Sequence, residues 1–234
     1  MLLVSALFVH MNGDLVDDWA SKQVPREQTE PLSLLGIQAN EEWLVLQVEF
    51  PNSAYSESRA RSLLMGVGSA EEYIEEMTAG SSTLSATLFD EVWEAPQGVK
   101  QWGEDVDGER DHGADGNGAE TLLREVATDI LVDQDLSRWD LNNDGVVDRI
   151  LILHSSEPQE KGGGANSLWS HFTGMQDPLV LGDWSIEHFT VASVHSGLGT
   201  IVHEMLHQMG ALDLYDVHSE LPTSNWNGIG DWGL

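Results

Sequence analysis

The residues best suited to chemistry stand in one stretch, His203-Glu204-Met205-Leu206-His207-Gln208-Met209-Gly210-Ala211-Leu212-Asp213. Histidines four apart on a helix lie one turn from each other on the same face, so both imidazoles can reach one metal ion without bending the backbone. Glu204, next to the first histidine, can face a water on that ion and act as its general base. Gly210 permits the left-handed turn that ends a helix, which swings Asp213 back towards the same ion. Three protein ligands, His203, His207 and Asp213, with one position left open describe a catalytic zinc rather than a structural one. The five-residue His-Glu-x-x-His pattern alone arises often by chance; the glycine and aspartate at the extended spacing make it specific.

Such ligands need a helix that is itself anchored. Ile201, Val202, Met205, Leu206 and Met209 recur at helical spacing and give that helix a buried face beside the ligand face. A core helix with two hydrogen-bonded histidines is the plain alternative, and it gives no reason for a glutamate beside them.

The chain has 234 residues, enough for one large domain with a substantial core. It carries 40 acidic against 10 basic residues, a formal net charge of −30. That surface repels nucleic acid and anionic membranes, so neither is an expected partner. It favours cations and suits a salty setting, where counter-ions screen the self-repulsion. With no cysteine, disulfides and thiolate-ligated metal are excluded. No run reaches transmembrane length. The short apolar stretch Leu2–Val9 reads as a signal-peptide remnant or as a first strand.

Residues 11–40 are polar and contain Pro25 and Pro31, which fits a linker or the tail of a pro-segment. Trp43–Phe50 then reads as a strand, 69–78 as a helix, and a second strand falls within Thr83–Trp93. The acidic, glycine-rich run 103–118 reads as a solvated loop, with weak calcium binding as the alternative. Glu120–Val132 is an amphipathic helix, Val146–His154 a strand, and further strands are expected around Trp169 and over Phe189–Val194. Strands alternating with helices predict a mixed α/β layer structure.

A second motif lies at Asp140-Leu141-Asn142-Asn143-Asp144-Gly145-Val146-Val147-Asp148. Asp140, Asn142, Asp144, the Val146 carbonyl and Asp148 occupy calcium-loop positions, but Leu151 stands where an EF-hand needs glutamate. A loop-to-strand calcium site and a metal-free Asx turn are the two readings.

The segment His203–Asp216 (HEMLHQMGALDLYD) resembles the zinc motif of the immune inhibitor A family of secreted metallopeptidases. WLVLQVEF (43–50), DLNNDGVVDRILILHSS (140–156) and LWSHF (168–172) resemble further family segments in the same order, so the likeness covers about four-fifths of the chain. The resemblance implies a zincin- or metzincin-like α/β (α+β) fold, a twisted mixed sheet with an active-site helix and a backing helix. It implies a secreted endopeptidase acting on protein or peptide substrates, with His203, His207 and Asp213 as Zn2+ ligands and Glu204 as base. Tyr215 and Asp216 match the tail of the motif in type, and Asp216 is a candidate to orient a ligand. Residues 1–41 would then be signal remnant and pro-segment, and 42–234 the catalytic domain. Gly230–Leu234 resembles the run leading into the family's Met-turn, so that domain is expected to be incomplete at its C-terminal end.

Other assignments stay open. His154, His171, His195 and His218 are read as structural or solvated by default, and Trp226 and Trp232 as candidates for a pocket floor. A calcium-stabilised binding domain that has lost catalysis is the rival function. Another zinc hydrolase, using Glu220 in place of Asp213, is a third. The oligomeric state is not legible.

The charge makes one prediction. Raising NaCl from about 0.1 M to about 1 M, which shortens the Debye length from about 10 Å to about 3 Å, is expected to raise the melting temperature. A melting temperature indifferent to salt would contradict the salt-adapted reading.

Overall fold

The computed structural model describes residues 32–213. Five strands form one sheet: β1 (Asn40–Glu49), β2 (Thr83–Glu94), β3 (Ile150–His154), β4 (His171–Leu181) and β5 (Trp184–Ser193). Their order is β2-β1-β3-β5-β4, with β4 antiparallel to β5 and every other pairing parallel. Helices α1 (Glu57–Leu64) and α2 (Ala70–Met77) connect β1 to β2. The short α3 (Lys100–Gly103) and the longer α4 (Gly118–Leu131) lie between β2 and β3, and α5 (Leu198–Gln208) follows β5.

The central strands are buried on both faces, which is why β1 and β3 read as near-continuous apolar runs. Alternate residues serve opposite layers. Leu44, Leu46 and Val48 of β1 join Ile150 and Ile152 of β3 against Leu122, Leu123 and Val126 of α4. Trp43, Val45, Leu151 and Leu153 face the other way, onto α1, α2 and α5. The helix that carries the chemistry therefore shares its face with α1 and α2, while α4 packs on the opposite one. The mixed α/β expectation is borne out, and an active-site helix backed by neighbouring helices is present.

Three boundaries differ from the sequence expectation, each for a local reason. The strand expected from Val146 begins only at Ile150. Val146 makes a single bridge to Ser185, and the Asp148 carboxylate accepts from Leu141 N at 2.7 Å. The strand expected around Trp169 begins at His171, because Trp169 N donates to a side-chain carboxylate instead of a ladder. Finally, β5 starts at Trp184, after a two-residue Gly182–Asp183 hairpin loop in which Gly182 has φ +62. Helix α1 has little sequence signal; it is short, and its start is marked only by Ser56 accepting from Arg59 N.

One buried ion pair ties the layers together. Arg149 and Glu41 are both fully buried, with Nε to Oε2 at 2.6 Å. The rest of the guanidinium donates to the carbonyls of Asp148, Gln208, Leu35 and Gly36, at 2.9–3.1 Å. Arg149 thereby grips β1, the chain before it and the last turn of α5 at once. No helix among the described residues is long and apolar enough to cross a membrane.

Arg149→Met would strand the Glu41 carboxylate in the core, so a loss of about 3–5 kcal/mol is expected in chemical denaturation. Adding Glu41→Leu should restore most of it. A single variant as stable as the parent would show that the pair is not needed.

Candidate metal centre and its supports

Helix α5 buries Ile201, Val202 and Met205 against the sheet and turns His203 and His207 to the partly open side. Its last turn closes with Gly210 at φ +91, where a non-glycine residue would be strained. Gly210 N donates to His207 O at 2.9 Å and Ala211 N to Leu206 O at 3.0 Å, the paired bonds of a Schellman stop. That reversal leaves Asp213 Oδ1 3.3 Å from His203 Nε2 and 3.3 Å from His207 Nε2. The two Nε2 atoms are 3.0 Å apart.

These separations can be tested against a metal. Four ligands about 2.0–2.1 Å from a tetrahedral zinc stand about 3.3 Å from one another, close to the three spacings found here. The tautomer also fits. His207 Nδ1 donates to Ala211 O at 2.9 Å, which leaves a lone pair on Nε2 in the neutral ring and fixes its direction. Burial holds His203 below the ordinary histidine range, which favours the neutral ring a metal requires. Glu204 also lies within metal-binding distance of His203 and His207.

Glu204 lies at the floor, buried, with Oε1 3.9 Å from His203 Nε2. Its other oxygen, Oε2, accepts the backbone N–H of Phe172 in β4 at 2.9 Å. With protein groups alone, burial pushes this carboxyl up to about 7, opposed by the Phe172 N–H and by His207. The helix behind it is held by Gln208, whose amide contacts Asp148 O, His188 Nδ1 and Thr190 Oγ1 at 3.0–3.2 Å.

The supports of β4 are residues the sequence does not single out. The acidic run 103–118, expected as a solvated loop, instead docks on the strand. Asp111 is buried, its two oxygens 3.1 and 3.2 Å from Trp169 N and 3.4 Å from His171 Nδ1. Arg110 stacks on the Trp169 ring at 4.0 Å. Gly103 lets the start of the loop touch the backbone of Ser167 and Leu168, where a Cβ would approach within 2.6 Å. Only the Asp-Gly and Asn-Gly steps hint at ordered turns here; nothing local marks Asp111 as buried. Of the other histidines, His154 is wholly buried with Nδ1 on Ser156 Oγ, and burial pulls it down to about 3. His195 is partly exposed, 4.0 Å from Glu157.

In the Asp140–Asp148 segment the side chains curl onto the loop's own backbone. Asp140 accepts from Asp144 N and Gly145 N at 3.0 Å, Asn142 from Asp144 N at 3.1 Å, and Asp144 from Val146 N at 2.9 Å. Tyr215, Asp216, His218, Glu220, Trp226 and Trp232 lie outside the described residues, as do Leu2–Val9 and Gly230–Leu234.

A mixed five-stranded sheet with a helix presenting a His-Glu-His group beside an antiparallel strand that is outermost among the described residues fits a metallopeptidase-type catalytic domain. The chain belongs to the immune inhibitor A peptidase M6 family: residues 46–233 match that family's catalytic domain. It is 29% identical over 130 residues to the pre-pro-metalloprotease PrtV of Vibrio cholerae serotype O1, covering 44% of this chain and 14% of that protein. It is 26% identical over 198 residues to immune inhibitor A of Bacillus thuringiensis subsp. alesti, covering 69% of this chain and 28% of that protein. The matched part is thus under a third of either relative.

Burial pushes Asp111 up to about 7 from 3.8. Because the folded-state value is raised, its contribution to stability is full below about pH 4 and is lost as pH rises through about 7. Asp111→Asn, neutral throughout, should flatten this loss, read as a smaller drop in melting temperature between pH 5 and pH 8. An unchanged pH slope would show that Asp111 titrates normally.

Proposed function

We propose that this chain is the catalytic domain of a zinc-dependent endopeptidase, with His203, His207 and Asp213 as ligands and Glu204 as general base. The observation that carries the reading is the triangle of His203 Nε2, His207 Nε2 and Asp213 Oδ1, at 3.0, 3.3 and 3.3 Å. When bound, zinc supplies a Lewis acid that brings the pKa of a coordinated water to roughly 7 and polarises a carbonyl. Glu204 does the proton work: its Oε1, on the ligand side, takes the water's proton and returns it to the leaving amine. The Phe172 N–H holds Oε2 so that Oε1 keeps that direction. Family membership supports proteins or peptides as the substrate class. Strand β4 ends the sheet among the described residues, so its outer edge offers backbone groups to an extended peptide running beside Glu204.

The name of the Vibrio relative, a pre-pro-metalloprotease, supports secretion and a leader in 1–41 preceding a catalytic domain in 42–234. Tyr215 and Asp216, next in sequence to the third ligand, are proposed to support it. We also propose that Asp140, Asn142, Asp144, the Val146 carbonyl and Asp148 take calcium. The support is the spacing of these oxygen-bearing residues around the turn at Gly145.

Metal analysis and casein hydrolysis test these assignments together. Glu204→Gln should keep one zinc per chain and lose hydrolysis by about 10²–10⁴-fold, whereas His203→Ala should lose the zinc. Asp144→Ala should lower bound calcium only. A Glu204→Gln variant as active as the parent would exclude this residue as the base, and a zinc-loaded parent without hydrolysis would favour the non-enzymatic binding domain.

A further inference from the structure

Two elements must keep a fixed separation for the site to work: β4, which supplies the Phe172 N–H, and α5, which supplies Glu204. Neither strand pairing nor helix packing fixes where they begin, since β4 starts after a non-ladder segment and α5 has no side-chain cap. A single carboxylate bridges both. Glu160 Oε1 accepts from Ser170 Oγ at 2.7 Å and from Ser196 Oγ at 3.0 Å, and its Oε2 lies 3.3 Å from Ser170 N. Ser170 stands two residues before Phe172, and Ser196 two residues before the first residue of α5. Both serines are buried.

The proton count requires an acceptor at the centre. The two hydroxyls are 2.9 Å apart and carry one proton each, yet the triangle has three short edges. An ionised carboxylate takes both protons at one oxygen and still accepts the Ser170 N–H at the other, with charge-assisted strength. Ser196 Oγ lies 3.3 Å from Ser193 N, which adds the end of β5 to the same knot.

Glu160 itself has a rigid base. It lies in a short turn whose flanks are pinned: Gln159 N donates to Leu168 O at 3.0 Å, and Gln159 Nε2 to Asp105 Oδ2 at 2.7 Å. Gly163 N donates to Pro158 O at 3.0 Å, and Ser167 Oγ to Glu157 O. The carboxylate therefore braces the leading ends of β4 and α5 from a fixed point rather than following them.

We propose that Glu160 is a positioning residue: its carboxylate ties the leading end of β4 to that of α5 and so sets the gap that the Phe172 N–H spans to Glu204. In its catalytic consequence this rests on the reading of Glu204 as general base; in its geometry it does not. Without the carboxylate, the two hydroxyls are left to bond each other, Ser170 N–H loses its acceptor, and the strand and helix can drift apart where they begin. Misplacement on the scale of 1 Å is enough to cost about 10²-fold in rate.

The test uses the full chain loaded with zinc and compares Glu160→Ala, Glu160→Gln and Ser196→Ala with Ile130→Ala, a core variant of α4 on the opposite face. In Glu160→Ala, the Phe172 amide should exchange hydrogen at least about tenfold faster than in the parent. Its kcat should fall about 10- to 100-fold with KM and zinc content unchanged. Glu160→Gln, which keeps an acceptor for both hydroxyls but sets an amide NH2 against Ser170 N–H, should restore part of each. Ser196→Ala, which cuts only the α5 arm, should move both readouts in the same direction by less, and decides the matter if Glu160→Ala does not fold. Parent-like exchange at Phe172 in Glu160→Ala would overturn the proposal. So would an equal change in Ile130→Ala, because the effect would then be general destabilisation. If the chain shows no hydrolysis while Glu160→Ala still frees the Phe172 amide, the general-base reading falls and the brace stands.

Discussion

The hydrogen bond from Phe172 N to Glu204 Oε2, 2.9 Å long, joins strand β4 to the helix that carries His203 and His207, and the direction of the Glu204 carboxylate depends on it. Burying a carboxylate beside two imidazoles is costly unless its oxygens are occupied. Here one oxygen is spent on a strand amide, so the other is held on the ligand side. The same bond fits the place of β4 as the outermost strand among the described residues. In a strand paired along both edges every N–H serves a ladder, and none is left for a side chain from a neighbouring helix.

Around this contact several buried carboxylates are held by backbone N–H groups as well as by ion pairs. With 40 acidic and 10 basic residues, few cations are available for the interior. One of them, Arg149, is committed wholly to Glu41 and to four backbone carbonyls. Of the other buried acids, Glu120 pairs with Arg124 and accepts Gln176 N, Glu204 accepts Phe172 N, Asp111 and Asp148 are held by backbone N–H groups, and the half-buried Glu160 is held largely by serine hydroxyls. Backbone donors can hold a carboxylate in place without a cation, but burial then raises its pKa, as it does for Asp111 and Asp148. The acidic composition thus shapes the interior as well as the surface. It fastens loops to strands at points where the sequence shows only a run of Asp and Gly.

Local patterns are readable where they serve one element. The apolar stripe of α5, the continuous runs of β1 and β3 and the spacing of α4 each reflect a buried face, and each element lies near its expected place. Boundaries shift where a side chain from elsewhere takes over a backbone group. Asp148 capping Leu141 N shortens β3, and Asp111 holding Trp169 N delays β4. The 103–118 segment looks solvated in sequence for the same reason, since its partner lies 58 residues away.

The sequence alone determined the chemical inventory. His203, Glu204, His207, Gly210 and Asp213 stand on one helix and its stop, so their spacing and a left-handed glycine suffice to converge them. Because that geometry is local, it is legible without the rest of the chain. Which amide would meet Glu204, which carboxylate would hold that amide's strand, and which face α4 would cover were decided only by the tertiary structure. Those contacts join segments 10 to more than 100 residues apart, and long-range pairing leaves no periodicity in either partner.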